Sequence, residues 1–532
     1  MRSECYPITV LPGVSRLFRE YLAHWDNPIL AESFGGHPAD TAWRDKAPEL
    51  TPEHRARLVS LLESQNPDPS PAARRHLEML RDGAGVVVSG QQVGILGGPL
   101  YTLFKAATAV RRAKEATEAG VPHVPIFWPA TEDHDLDEVN QVLLLTKNSA
   151  ETLRLKSLVH RNTAVGGVVL PEEITELVEQ ATELLAWAPI TETLKRHYAP
   201  GKTLAEAFTG LLREIFAAEG LLTIDAAERG YHELGSPVLL AAIEQAEELE
   251  AAVRARSQAL VDAGYHAQVL LPEQGSLLFL FDEQTGERHA LRHKDGAWKA
   301  GHVSYTTEEL KALLLASPER FSPNALLRPV FQDQILPTSA YIGGPAEIAY
   351  FAQSGVLYDT ILGRRTTVLP RMSATLVEPA IAKVMDQHEL GLKEAFSSAD
   401  DLALRLGARA MPVEGKKRLQ AAGNALDREL DALLGWMQSV DGELARSGEV
   451  SASKMRYQMN RLRRMSARFE QEKNASLRKH ADAVTLNLFP EGHVQERAVA
   501  GTWFLARTGD DFPAEIVSHA GQECSGHKAI FL

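Results

Sequence analysis

Two short apolar runs, joined by a glycine-rich turn and a proline-led helix, constrain this chain more than any other feature. Gly85-Val86-Val87-Val88-Ser89 reads as a buried strand that ends in a polar turn. An unbroken run of this kind, bounded by turn residues, suits a strand covered on both faces. The turn is Gly90-Gln91-Gln92-Val93-Gly94-Ile95-Leu96-Gly97-Gly98-Pro99. Over residues 99–119 the proline falls in the first turn and Leu103, Ala106, Ala107 and Val110 share one face, which predicts a helix. His123 to Trp128 supplies the second strand. Strand, helix, strand is a right-handed crossover between parallel neighbours, so a Rossmann-like α/β core is expected.

The second strand gives way abruptly to Glu132-Asp133-His134-Asp135, with Asp137 and Glu138 close behind. In an open α/β sheet, ligands sit just beyond the carboxyl ends of the strands. Adjacent titratable groups there are costly to fold around unless they meet water, a metal or a substrate. The blander alternative is a solvated loop that starts a helix, because acids suit a helix N-terminus. His134, flanked by Glu132, Asp133 and Asp135, suits proton transfer. The carboxylates suit Mg²⁺. Zinc fits less well, since adjacent residues on one strand end rarely converge tetrahedrally and no second histidine is near in sequence. No metal is firmly predicted. His160, His232 and His302 stand alone in the sequence and read as structural.

The turn after the first strand is neither the G-x-G-x-x-G dinucleotide fingerprint nor a P-loop. A hydride-transfer enzyme and a P-loop kinase are therefore disfavoured. Ser89, Gln91 and Gln92, with the backbone at Gly94, offer neutral groups for a carboxylate, an amide or a sugar hydroxyl, and the helix start favours an anion. Lys105 lies about one and a half turns inside that helix, as a site residue or an ordinary surface lysine. Arg328, after Ser322-Pro323-Asn324 and before Pro329, suits a carboxylate or phosphate clamp, or alternatively an ion pair that caps a helix. Gly343-Gly344-Pro345 with Glu347 repeats the strand, glycine turn and proline-led helix, so both turns are expected to face one crevice.

At 532 residues the chain is too long for one core. A formal net charge of −14 argues against general nucleic-acid affinity and for a small-molecule substrate. There is no apolar run of about 18 residues and no signal-peptide core near Met1, which predicts a cytoplasmic protein without membrane association. Cys5 and Cys524, far apart in sequence, are no disulfide framework and fit a reducing cytosol. In the last third, Leu419, Ala422, Leu426, Leu430, Leu433, Met437 and Val440 recur at helical spacing, as do Met455, Leu462, Met465 and Phe469. With a break over residues 441–451, this predicts an antiparallel coiled-coil arm. An exposed apolar seam needs a partner, so homodimerisation through the arm is expected. The arm's second helix is basic, but without aromatic interleaving it reads as a solvated face rather than an RNA-binding surface.

In order along the chain, Ser89–Gly90-Gln91-Gln92-Val93-Gly94, Gly98-Pro99-Leu100-Tyr101-Thr102 with Lys105, Phe127-Trp128-Pro129-Ala130-Thr131-Glu132-Asp133-His134-Asp135, Ser322-Pro323-Asn324 with Arg328-Pro329, Ile342-Gly343-Gly344-Pro345-Ala346-Glu347-Ile348 and Leu488-Phe489-Pro490-Glu491-Gly492 with Gln495-Glu496-Arg497 resemble the bacillithiol biosynthesis cysteine-adding enzyme family. The resemblance implies a Rossmann-like core similar to class I aminoacyl-tRNA synthetases, with connecting-peptide insertions and a dimerising coiled-coil arm. The expected organisation is core over 1–155, core with helical and β-rich insertions over 156–320, core again over 321–380, the arm over 381–486, and a tail packed on the core over 487–532. The implied activity is addition of L-cysteine to the amine of glucosaminyl-malate. Amide formation in water needs an activated acyl group, so ATP/ADP is the expected cofactor. Arg371 and Ser373, in Arg371-Met372-Ser373-Ala374-Thr375, loosely resemble the synthetase signature loop but lack its lysines. A nucleotide-binding regulatory or scaffold protein and a Mg-dependent nucleotidyltransferase are the alternatives.

Overall fold

The computed structural model describes residues 1–532 except 24, 46, 159–161 and 295. His160 therefore lies outside the described residues. The chain divides into two compact units, one of residues 1–375 with 496–530, the other of residues 376–495 with 531–532.

The first unit is built on a five-stranded sheet in the order Thr367–Pro370, Thr338–Gly343, Gly85–Gln91, His123–Pro129, Leu222–Thr223. All four pairings are parallel. Alternation along Gly85–Gln91 divides the core between the two faces, as a period of two requires. Val86 and Val88 join one cluster with Val124 and Ile126. Val87 joins Ala340, Ile342 and Leu369 against Ala109 and Ala113 on the other face. The helix Tyr101–Glu118 makes the crossover between Gly85–Gln91 and His123–Pro129. Its small residues Ala106, Ala107, Ala109 and Ala113 are buried, which lets it lie close to the sheet. The helix Pro345–Leu362 starts on proline, its Glu347 accepts the Gly344 N–H at 2.7 Å, and it ends on Gly363 at φ +62°. Only glycine adopts that terminal conformation without strain.

A second, antiparallel sheet runs Val303–Thr306, Ala297–Ala300, Arg288–Lys294, Gly275–Phe281, Phe321–Pro323. It contains the antiparallel hairpin of Gly275–Phe281 with Arg288–Lys294, within the β-rich insertion expected from the sequence, and recruits Phe321–Pro323 as well. Two helices, Arg229–Glu244 with Pro237 inside it and Ala246–Asp262, meet at Gln245. Residues near 500 return to the core: the Leu100 N–H donates to Val499 O at 2.8 Å, and Trp503 Nε1 donates to Leu145 O at 2.7 Å.

The reading of Cys5 and Cys524 as unpaired thiols is corrected. They form a disulfide with Cα atoms 5.7 Å apart, across a sequence separation of 519. The strand His527–Phe531 lies beside Arg2–Tyr6 in a three-stranded sheet, a pairing that separation along the chain conceals.

In the second unit, helices Val413–Val440 and Gly442–Lys473 form an antiparallel hairpin. Arg456 pairs with Asp427 at 3.0 Å and Asp431 at 2.6 Å. The turn is tighter than expected. Asp441 alone breaks the helix and caps the next one by accepting the N–H groups of Glu443 and Leu444, while Gly448 lies inside the helix. The seam also differs. Gly423, Leu430, Ala445, Ala452 and Ala467 are the buried positions, whereas Leu433, Val440, Met455, Leu462, Met465 and Phe469 are exposed. Small residues let two helices approach closely, so the larger apolar side chains are left on the outer faces. Among the described residues, no helix is long and apolar enough to cross a membrane.

Candidate functional site

A cavity of about 760 Å³ opens where the central strands end, in the first unit. Its walls come from the turn after Gly85–Gln91, the acid stretch after His123–Pro129, the start of helix Pro345–Leu362, and the hairpin Gly275–Phe281 with Arg288–Lys294. At Gly90 the backbone passes so close to the neighbouring strand that an added Cβ would lie 2.4 Å from Trp128 O.

Lys105 is buried rather than a surface lysine, at 4% exposure. Its Nζ donates to Gly90 O at 2.6 Å and Gln91 Oε1 at 2.9 Å, and pairs with Glu347 Oε2 at 2.5 Å. Gln91 donates in turn to Tyr101 OH at 2.8 Å. Glu347 also receives the Tyr341 hydroxyl at 2.5 Å and the Gly344 N–H. Burial works against its charge, but Lys105, Tyr341 and Gly344 together hold the carboxyl below its usual range. Burial also pulls the Lys105 ammonium down, against Glu347. The three donors on the carboxylate decide the matter in favour of the ion pair. The pair bolts the two glycine turns together across the cavity floor.

The acid stretch divides its work. Glu132, Asp133 and His134 line the cavity. Asp135 does not: it caps the short helix Leu136–Val139 by accepting the Glu138 N–H at 3.2 Å. Gln92 Nε2 donates to Asp133 Oδ2, and Asp133 Oδ1 accepts the His134 N–H at 2.7 Å. Arg288, 8% exposed, reaches in from the hairpin. It lies over the Phe279 ring at 3.9 Å and donates to Ser322 Oγ at 3.0 Å and Pro323 O at 3.1 Å. Its Nη1 is 3.3 Å from His134 Nδ1 and 3.7 Å from Asp133 Oδ1. A guanidinium only donates, so Nδ1 accepts and the ring hydrogen sits on Nε2. Asp133 Oδ1 is also 3.4 Å from Nδ1, but that contact would need the hydrogen on the other nitrogen. The lone pair of His134 is therefore engaged by Arg288. Glu138 lines the cavity too, and its carboxyl is raised by burial and by Asp135 and Asp133.

His232 is corrected from a lone histidine. Its Nε2 is 3.1 Å from Glu132 Oε1, and the imidazole is fully buried.

Arg328 donates to Tyr350 OH at 2.8 Å, Tyr341 OH at 3.4 Å and Gln332 Oε1 at 3.0 Å. Among the described residues no carboxylate comes within 4 Å of it, so the helix-capping ion pair does not form. Burial opposes its charge, but Tyr350, Tyr341 and Glu347 around it raise its pKa overall. Arg371 spends both Nη groups on Glu496, at 3.1 and 2.7 Å, while its Nε is buried without a partner and the residue borders the cavity. Ser373 bonds Glu496 at 3.2 Å and His527 Nδ1 at 2.8 Å. Ser89 donates to Ile342 O at 2.9 Å across the sheet. Ser89, Gly94, Gly343 and Ser373 do not line the cavity, whereas Gly344 and Arg497 do. Among the described residues, no three His, Cys, Asp or Glu side chains are grouped as a metal ion would need.

Sequence reasoning missed Arg288, Tyr101, Tyr341 and Tyr350. Tyr341 carried a faint signal, a phenol in a buried strand two residues before the glycine turn. Arg288 carried none, because only the folded hairpin brings it to His134.

Residues 1–372 match the family described as Bacillithiol biosynthesis BshC, N-terminal Rossmann-like domain. Residues 374–532 match Bacillithiol biosynthesis BshC, C-terminal coiled-coil domain. A relative from Koribacter versatilis is 38% identical over 539 residues, and one from Solibacter usitatus is 35% identical over 541, each match covering 100% of both chains. One from Salinibacter ruber is 31% identical, covering 98% of this chain and 97% of the relative. All three carry the name "Putative cysteine ligase BshC".

Proposed function

The chain belongs to the bacillithiol biosynthesis BshC family, and on that premise we propose that it joins the carboxyl group of L-cysteine to the amine of glucosaminyl-malate. The observation that carries this reading is Arg328. A half-buried guanidinium held by two tyrosines, facing a cavity and without a carboxylate of its own, is completed by a carboxylate from the ligand. Malate brings two and cysteine one. The neutral amides of Gln91 and Gln92 suit sugar hydroxyls.

The chain's residues also fit a nucleotide's phosphates: the unpartnered Nε of Arg371 and the exposed Arg497 both border the cavity. When bound, ATP supplies the activation that a carboxylate lacks in water. The exposed Trp436, Met455, Tyr457, Leu462, Met465 and Phe469 of the second unit support dimerisation through the arm.

The test is a reconstituted reaction of the purified protein with L-cysteine, ATP and glucosaminyl-malate, with the conjugate read by mass. Arg328→Gln is expected to raise KM for glucosaminyl-malate about 10–100-fold, the worth of one or two charge-assisted hydrogen bonds. Removing the malate carboxylates from the substrate should do the same to the wild type. Absence of conjugate with the wild-type protein overturns the ligase reading. An unchanged KM in Arg328→Gln overturns the role of Arg328.

A further inference from the structure

Behind the cavity wall lies a histidine that the site as described does not use. His232, on the helix Arg229–Glu244, has 0% exposure, and neither ring nitrogen makes a hydrogen bond. An imidazole always carries at least one N–H, and burying it unpaired leaves its desolvation uncompensated. Core histidines ordinarily escape that cost by bonding a backbone carbonyl, as His123 does with Val121 O at 2.8 Å. His232 instead faces Glu132 Oε1 at 3.1 Å, an oxygen equally buried and also without a hydrogen bond. The two atoms are within bonding distance and misaligned, so a small rotation of either side chain closes the contact. Glu132 keeps 14% of its side chain exposed and lines the cavity. It thus links the hidden imidazole to the cavity.

We propose that His232 is a positioning residue that backs Glu132 as a two-site proton store for the amine that attacks cysteine. This rests on the ligase reading above. An amino-sugar amine enters as an ammonium and must lose two protons to become an amide nitrogen. The first passes to the Glu132 carboxylate and on to His232 Nε2, which becomes an imidazolium beside a carboxylate. The freed lone pair forms the C–N bond to the acyl carbon activated by a nucleoside triphosphate, and the leaving group departs with its bonding pair. The second proton goes to Glu132, which the first has vacated. A carboxylate is intrinsically a weaker base than an imidazole, so the second site adds capacity that Glu132 alone lacks. His134 is less suited to this task because its lone pair accepts from Arg288.

The other charged groups acting on the pair are Asp225, beyond the strand Leu222–Thr223, which acts on both members, and Arg288, which acts on Glu132 from the cavity side. The helix Arg328–Ile335 contributes the Phe331 ring, 5.4 Å from the imidazole. Asp225 is tied to Thr131 Oγ1 at 2.6 Å and to the Ala227 N–H at 3.1 Å, which leaves Glu132 as the nearer partner for His232.

The test uses the full-length protein with His232→Gln and His232→Asn, each checked for an unchanged melting profile. Proton transfer of this kind contributes about 100-fold or more. Both variants are expected to lose about that factor in kcat, with KM for glucosaminyl-malate within threefold, and to flatten the acid limb of the pH–rate profile. A kcat within threefold of wild type, or an unchanged pH profile in a folded variant, overturns the proposal. A second measurement does not depend on activity. In protein labelled with ¹⁵N-histidine, Glu132→Gln is expected to move the ring ¹⁵N resonances of His232 at one fixed pH, because the Nε2–Glu132 contact at 3.1 Å is lost. No movement overturns the pair even if ligase activity is present. A wild type that makes no conjugate refutes the ligase reading and leaves this NMR result to decide the pair.

Discussion

His527 makes the pH dependence of stability a quantitative test of the core. It is fully buried in the strand His527–Phe531, with Nδ1 2.8 Å from Ser373 Oγ and Nε2 2.9 Å from Thr375 Oγ1. Burial, only partly offset by Glu496 and reinforced by Arg371, pushes its pKa down to about 4. A histidine depressed on folding is protonated more readily in the unfolded chain. Between about pH 6.5 and 4 the unfolded state therefore binds the extra proton, and stability falls as pH falls. With an unfolded value of about 6.5, the linkage relation gives a loss of about 2 kcal/mol between pH 7 and pH 5. His527→Gln keeps one hydrogen bond and cannot titrate. The measurement is guanidinium unfolding at pH 7, 6 and 5, followed by tryptophan fluorescence in a Trp436→Phe background, so that the signal comes from the first unit. The wild type should lose about 2 kcal/mol more than the variant across that range. Parallel pH dependence, within about 0.5 kcal/mol, would refute the argument that burial and not hydrogen bonding governs this imidazole.

Three further outcomes follow from the geometry. Glu347→Gln strands the buried Lys105 and should cost about 3–5 kcal/mol in denaturant unfolding. Adding Lys105→Met should restore most of that, and no recovery would mean the ion pair is not what holds the two turns. Gly90→Ala sets a methyl group against Trp128 O and should lower the melting temperature and the ligase kcat/KM together, since floor and strand shift as one; a variant with native melting would contradict the close approach. Reduction of Cys5–Cys524 should cost about 2–4 kcal/mol, read as a reductant-dependent loss of melting temperature that Cys5→Ser abolishes.

The parts of this protein legible in its sequence are those with local signals. The Gly85–Gln91 and His123–Pro129 strands announce themselves by composition, the helix Pro345–Leu362 by its proline and glycines, and the arm by its spacing. At the cavity floor Gln91, Lys105 and Glu347 are candidates, but their sequence positions leave Lys105 open as a surface lysine and do not reveal its pairing with Glu347. What could not be read is what distant segments bring. Arg288 meets His134 across 154 positions and Arg371 meets Glu496 across 125. Arg371 and Ser373 stand out in the sequence by a loose resemblance to the synthetase signature loop, but the nearest use of both is to secure residues that return from the far end of the chain. The seam of the arm misled for another reason. Helical spacing tells which residues share a face, not whether that face meets the partner helix or solvent.

The neighbouring strands Arg2–Tyr6 and His527–Phe531 make the polypeptide nearly a ring, and the place where that ring is cut matters little to the folded state. A gene rearranged to begin at the arm's turn, at Gly442, with a short linker joining residue 532 to residue 1, would place its new ends at an exposed helix junction and leave every central strand pairing unchanged. Such a permuted protein should keep the cavity and its chemistry. It would also put both new ends at the tip of the second unit's hairpin, free for tethering to another protein without touching the site.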